Sequence, residues 1–425
     1  MNISSLVPGP ALKIRGRRIL LALVISLFIP LSLPAGALCA EIKLFNWSQW
    51  KGPDQNGISK ESDWDPKALS RPLSVNWKVN VGEGFSNVAI SGYGLFTMGF
   101  NRESLENTLY RLDLNTGKPL WKYTYKSTKN RHTGPKCTPV IDGSRVYTLS
   151  QDAKFFCNDT ENGKLIWEKN LADDFGAEVL MWELSSSVRI EGNAAIINAL
   201  SSGIAFDKNT GKLIWKSRAG EGNYATPVTF KFKNKTYAAI YGQKGLNMVD
   251  ALDGSVKWFY PWSTQFSIIA ADPYIYDNRI FISSGYENGC ALIDISSGLP
   301  VELWRNKNLS SHFSTVVILG SYIYGVDGNA GTGGSLKCLD MKDGSVRWSA
   351  KTGFGNMTAA NGYLIMVNEK GSLYIVKADP NRYIEVSKKE EILGKLCWTA
   401  PVLCRSTIYI RNSKGDLVSI DVSKK

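Results

Sequence analysis

The sequence predicts an all-β chain folded as an eight-bladed β-propeller, and three observations lead there. One phrase keeps returning: DLNTGKPLW at 113–121, DTENGKLIW at 159–167, DKNTGKLIW at 207–215, DALDGSVKW at 250–258 and DMKDGSVRW at 340–348. Its period stays in the forties, the length of one four-stranded blade. The stretches between copies are short and apolar, rich in β-branched and aromatic residues, and divided by Gly, Asn and Asp turns.

Counted from the aspartate, Asp113, Asp159, Asp207, Asp250, Asp294 and Asp340 are separated by 46, 48, 43, 44 and 46 residues. Two degenerate copies follow. Lys377 stands in the aspartate slot of KADPNRYIEV with Asn381 in the glycine slot, and Asp421 comes 44 residues after Lys377. Within a unit the first strand carries Pro or a small residue, as in TPVI (138–141), TPVTF (226–230) and APVL (400–403). The second is β-rich (RVYTLS, RIFISS, TIYIRN), the third ends in the aspartate and the fourth carries the tryptophan.

The motif has a physical reading. The carboxylates of Asp113, Asp159, Asp207, Asp250 and Asp340 accept hydrogen bonds from their own turns. Gly117, Gly163, Gly211, Gly254 and Gly344 supply the positive φ of a tight hairpin. Trp121, Trp167, Trp215, Trp258 and Trp348 then project from strand four into the seam between blades. Asn381 is expected in the left-handed conformation, which Asn tolerates. Asp294 to Trp304 spans ten residues where the other copies span eight, so the fifth hairpin is expected to carry an insertion. All of these residues read as scaffold.

The last copy ends at Lys425, just past Asp421, without room for a fourth strand. SVNWKVNV (74–81) reads as a fourth strand without a third, and Trp77 is its tryptophan. It is expected to complete the C-terminal blade, closing the ring and removing its open edges. The propeller is thus assigned to residues 74–425 as one domain.

The first 40 residues read differently. Lys13, Arg15, Arg17 and Arg18 precede the apolar run ILLALVISLFI, then Pro30, Pro34 and AGA, the pattern of a cleaved secretory signal. Residues 41–73 are read as a segment packed on the propeller. Leu38 ahead of Cys39 disfavours a lipid anchor, so a periplasmic or otherwise exported monomer without a membrane span is expected. Losing the leader lowers the formal charge from +12 to +8 with its lysines scattered, and no basic run with interleaved aromatics points to nucleic acid. Cys137, Cys157, Cys290, Cys338, Cys397 and Cys404 form no CxxC, CxxCH or adjacent pair, and read as small buried hydrophobes.

The D-x-x-x-G-x-x-x-W repeat resembles the tryptophan-docking motif of PQQ-dependent (quinoprotein) alcohol dehydrogenases and their PQQ-like relatives, which include the outer-membrane protein assembly factor B (BamB) family. NWSQWKGPDQNGIS (46–59) is similar to the segment that precedes the propeller in exported PQQ-like proteins, carried here by Trp47, Trp50, Gly52, Pro53, Gly57 and Ser59. The dehydrogenase side of the resemblance implies PQQ over a tryptophan, a disulfide of adjacent cysteines, calcium held by Glu and Asn, and an aspartate base. This chain has no adjacent cysteine pair, and none of those ligands falls on an aligned motif.

A ligand site is expected at the funnel mouth, where strand four of one blade leads into strand one of the next. An aromatic followed by a small residue recurs there: Phe85-Ser86, Tyr224-Ala225, Phe266-Ser267, Phe313-Ser314 and Trp398-Thr399. The junctions also hold Arg131 and His132, Trp182 and Glu183, Trp262 and Gln265, His312, and Asn356. The only two histidines, four junctions apart, should face each other too far apart for one metal ion. GNAGTGG (328–334) lacks the lysine of a phosphate loop and reads as a long hairpin. The leading expectation is a non-catalytic exported scaffold, BamB-like, for envelope proteins or peptides, with no metal and no cofactor. The alternatives are a PQQ- and calcium-dependent dehydrogenase and a binder of carbohydrate or another small ligand.

Overall fold

A computed structural model describes residues 45–92, 94–128, 134–314 and 316–425. The leader with Cys39, and the pair Arg131 and His132, lie outside the described residues. The repeat becomes eight sheets of four meandering antiparallel strands. Blade 1 runs through Ala89–Ser91, Gly94–Asn101, Glu106–Asp113 and Pro119–Lys126. Blade 8 joins the chain ends, as expected: Val402–Leu403, Thr407–Arg411 and Asp416–Asp421 take Val75–Asn80 as their fourth strand, with Trp77 opposite Ser419.

The repeated hairpin shows why three residue types recur. In blade 2 the Asp159 Oδ1 accepts from the amides of Glu161 (2.8 Å) and Asn162 (3.0 Å). The Gly163 amide donates to the Asp159 carbonyl at 2.9 Å, and Gly163 has φ of +74°. Conformation is only half of the need for glycine. A Cβ on Gly163 would lie 2.6 Å from the ring of Trp121, the tryptophan of the preceding blade, whose Nε1 donates to the Thr160 carbonyl at 3.0 Å. The same docking joins Trp77 to Gly117, Trp167 to Gly211, Trp215 to Gly254 and Trp304 to Gly344. In all eight blades strand four also slips register by one residue beside the tryptophan slot, a bulge that re-aims the ring into the seam.

The degenerate copies deviate with identifiable compensation. In blade 5 the turn between Asp294 and Val301 is longer, as the spacing predicts, and Trp258 of blade 4 has no hydrogen-bond partner for its Nε1 among the described residues. In blade 7, Asn381 is not left-handed, contrary to the sequence expectation. Asp379 rebuilds that turn, its carboxylate accepting from the Asn381 amide at 2.8 Å and its carbonyl accepting from Trp348 Nε1 at 2.8 Å. Ser387 occupies the tryptophan slot of blade 7 and donates to the Pro66 carbonyl at 2.6 Å. The buried Trp64, edge-on to Tyr363 at 5.8 Å, fills the seam instead.

The apolar core is divided among eight clusters, one at each seam between neighbouring blades. All six described cysteines are buried and free. At the closing seam, between blades 8 and 1, Arg411 is 1% exposed. Its guanidinium donates to the carbonyls of Ser86, Met98, Gly82 and Gly84 and to the Thr97 hydroxyl. Burial pulls its pKa down to about 10.

The lead-in segment touches strand one, or the turn after it, in blade after blade. Trp47 bridges Ile90 in blade 1, Ser48 accepts from the Ile141 amide in blade 2, and Gln49 accepts from Arg189 in blade 3. Gln55 accepts from the Thr229 amide in blade 4, and the Lys51 ammonium lies 4.9 Å from the Tyr274 ring centroid in blade 5. Gly57 lies against Val317 in blade 6, and Ile58–Ser59 forms a parallel fifth strand on Gly355–Ala360 of blade 7. Glu61 finally accepts from the amides of Arg405 and Ser406 in blade 8, the circuit complete. The segment thus visits the first strand, or the turn after it, of every blade, and its Trp50 lines the central cavity.

Candidate functional site

Trp50 of the lead-in segment and the junction loops together bound a cup. The cavity measures about 350 Å³. Its floor comes from the lead-in segment and blade 5. Trp50 Nε1 donates to Asp272 Oδ2 at 2.6 Å, and the Thr226 amide donates to Asp272 Oδ1 at 2.7 Å. Burial raises the Asp272 pKa, opposed by the charge of Lys51, and burial lowers that of Lys51, opposed by Asp272.

One wall is a continuous arc of rings. Phe85 stacks on Trp398 with centroids 4.7 Å apart and planes 19° apart. Trp398 meets Phe313 at 5.2 Å, Phe313 meets His312 at 4.8 Å, and His312 meets Tyr286 at 4.9 Å. Asn356, itself buried, ties the arc together by donating to the carbonyls of Phe313 (3.3 Å) and Trp398 (3.1 Å). Burial pushes His312 down to about 4, so its imidazole is neutral at physiological pH, and its buried Nδ1 has no hydrogen-bond partner among the described residues.

The opposite wall carries Trp182, Tyr224 and Lys136. The Tyr224 hydroxyl accepts from the Trp182 amide at 3.4 Å. Lys136 donates to the carboxylate of Glu183, which sits behind it at φ of +63°. Burial lowers the Lys136 pKa while Glu183 opposes the shift. Among the described residues, both charged groups that line the cup, Lys136 and Asp272, are thus offset by an opposite charge nearby.

Of the residues singled out from sequence, Phe85, Trp182, Tyr224, His312, Phe313, Asn356 and Trp398 line the cavity. Glu183 reaches it only through Lys136. Trp262 does not reach it. It is 1% exposed, donates to the Ser284 hydroxyl at 2.9 Å and lies under the Arg305 guanidinium, because strand four of blade 4 carries it into the seam with blade 5. Gln265 and Phe266 stand outside the cavity on an exposed turn, Phe266 being 66% exposed and edge-on to Tyr286. GNAGTGG is a hairpin, and its Ala330 and Gly331 also reach the wall. Sequence reasoning missed Asp272, Tyr286 and Lys136, and gave Trp50 only a packing role. The doublet rule scanned one loop per blade, whereas Tyr286 comes from the turn between strands two and three.

The donor set does not fit a calcium-held quinone. Asp272 is the only carboxylate among the described residues that line the cup, and both its oxygens already accept hydrogen bonds. Among the described residues no group of three or more His, Cys, Asp or Glu side chains converges.

Residues 105–350 match the family model described as outer membrane protein assembly factor BamB. The chain is similar to outer membrane protein assembly factor BamB of Moranella endobia, 22% identical over 329 residues that cover 72% of this chain and 81% of that protein. It is also similar to quinoprotein alcohol dehydrogenase PedH of Pseudomonas putida, 23% identical over 199 residues, 44% of this chain and 31% of that one. Among solved structures, BamB from Moraxella catarrhalis superposes with a TM-score of 0.62 at 17% identity, covering 83% of this chain and 98% of that one. The quinohemoprotein alcohol dehydrogenase of Comamonas testosteroni gives 0.66 at 12% identity, covering 89% and 81%. At such identities the superpositions establish the fold alone. With its family model matched over more than half its length and eight PQQ-like blades closed by the N-terminal strand, this chain belongs to the BamB family of β-propellers.

Proposed function

We propose that this protein is an exported, non-catalytic propeller that binds protein or peptide segments in the cell envelope. The observation that carries this reading is the cup: floored by Trp50 of the lead-in segment on Asp272, walled by aromatic rings, and with Lys136 paired to Glu183. Among the described residues such a lining supplies apolar contact and fixed hydrogen bonds, its two charged groups are already engaged, and no cluster converges to hold a metal ion. Around the mouth, Met181 and Phe266 are 71% and 66% exposed and Val179 is 47% exposed, apolar surface of the kind that marks an interaction rim. The leader-like N-terminus and the kinship with BamB support a periplasmic location, and Leu38 directly ahead of Cys39 argues against a lipid there. A quinone-dependent dehydrogenase is the poorer reading because the calcium and disulfide groups it needs have no counterpart in the lining.

The test is site-specific photo-crosslinking in cells, with the photoreactive residue at Phe266 on the rim or at Leu120 on the outer edge of blade 1, where the native side chain is 52% exposed. Discrete adducts with envelope proteins are expected from position 266 and not from 120. Equal or no adduct formation at the two positions would sink the reading.

A further inference from the structure

Peptide binding draws on the rings and the apolar rim of the cup, and the polar part of its lining has no role in it. Followed around the eight junctions, the lining has two halves. Phe313, Trp398 and Phe85 come from the junctions into blades 6, 8 and 1 and form the ring arc. Lys136, Ser185, Thr226 and Asp272 come from the four consecutive junctions into blades 2, 3, 4 and 5, a half they share with Trp182 and Tyr224. Each of these three rings and four polar residues lines the cavity and stays partly exposed, so an occupant of the cup meets them directly.

The polar half offers partners of both kinds. Lys136 can only donate, and the Asp272 carboxylate can only accept; each of its oxygens takes one hydrogen bond from a described residue where each has room for two. The Thr226 hydroxyl accepts from the Ser187 amide at 3.0 Å and donates to no described residue. Ser185 Oγ makes only two 3.4 Å contacts, with the carbonyls of Trp182 and Glu183. An ion would find the charges already offset, Lys136 by Glu183 and Asp272 by Lys51. An aromatic side chain would cover the ring arc but bring at most one polar atom to four polar groups. A pyranose suits both halves: its C–H face lies on the negative faces of the rings, and the hydroxyls around its edge both donate and accept. The cavity, about 350 Å³, is at the small end of ligand pockets, in keeping with one sugar ring. We propose that, beyond peptide binding, the cup holds one neutral pyranose residue, its C–H face on the Phe313–Trp398–Phe85 arc and its hydroxyls towards Lys136, Ser185, Thr226 and Asp272.

Titration calorimetry on the full chain compares the methyl pyranosides of glucose, galactose, mannose and N-acetylglucosamine with cyclohexanol, a ring of the same size with a single hydroxyl. The tightest glycoside should exceed cyclohexanol about tenfold, the ratio that ~1.4 kcal/mol represents. Phe313→Leu on the ring half should weaken that glycoside about tenfold. Ser185→Ala on the polar half should weaken it about fivefold and leave cyclohexanol unchanged. Thermal melts verify that both variants are folded, and Ser185→Ala, which gives up only two long contacts, keeps the test sound if Phe313→Leu melts early. No glycoside above cyclohexanol, an affinity untouched by Ser185→Ala and by a folded Phe313→Leu, or a capped Gly-Gly-Phe-Gly-Gly peptide that binds as tightly as the best glycoside overturns the assignment. A methyl-capped trisaccharide of the same sugar that binds at least as tightly makes a glycan end the ligand, and one that binds about tenfold weaker makes it the free sugar; both uphold the pyranose. Peptide binding is judged apart, by adducts at position 266: sugar binding without adducts removes it, and adducts without sugar binding leave it standing.

Discussion

Gly163→Ala probes the interblade docking directly. Two costs are imposed at once. The residue stays at φ of +74°, where an L side chain is disfavoured by roughly 1–2 kcal/mol. The new methyl also lies 2.6 Å from Trp121 Cε3, so the indole must shift out of a packed seam, and overpacking of this kind costs about 1–3 kcal/mol. The sum is a loss of about 2–5 kcal/mol. Gly143→Ala in the same blade is the control: φ is +58° and nothing lies within 4 Å of its Cβ, so only the first cost of about 1–2 kcal/mol applies. Urea unfolding followed by tryptophan fluorescence and by circular dichroism, with coincident transitions, reports both values. If the two variants lose the same stability, the glycine serves only its hairpin, and the account of docking given above is wrong.

Three further outcomes follow from the same geometry. Trp215→Phe should cost about 1 kcal/mol more than Trp258→Phe in urea melts, because Trp215 Nε1 donates to the Ala251 carbonyl at 3.0 Å whereas Trp258 Nε1 has no partner among the described residues. Arg411→Met should lower stability by roughly 3–5 kcal/mol, since it strips the donor from five acceptors at the closing seam, and native-state hydrogen exchange should show blades 8 and 1 loosening first. His312 takes up its proton more readily unfolded, near 6.5, than folded, near 4. The folded state therefore loses stability as pH falls through that interval, and His312→Gln should flatten the loss when the two are compared pH by pH.

The repeat exposed the architecture because each blade must solve the same two problems, a tight turn and a filled seam, with the same residues. Trp77 could be assigned to the C-terminal blade before any coordinates because an orphan fourth strand at one end matched a missing one at the other. What the repeat could not convey was the glycine's second role. That contact joins Trp121 to Gly163 across a seam, and spacing within one copy carries no trace of it. The site was less legible for a related reason. Phe85, Tyr224, Phe313 and Trp398 share a junction signature and reach the cup, but Phe266 shares it and turns outward, its backbone at φ of +68°. Trp262, by contrast, is held in a seam by strand four. The floor depends on Trp50 meeting Asp272 across 222 residues, a pairing that no local pattern announces.

Because Asp416–Asp421 pairs with Val75–Asn80 from far earlier in the chain, the ring cannot close until the last strand of blade 8 has been made. Until then Val75–Asn80 waits unpaired while the intervening seven blades are made. In that interval the strand is an open edge, the kind on which other strands pair.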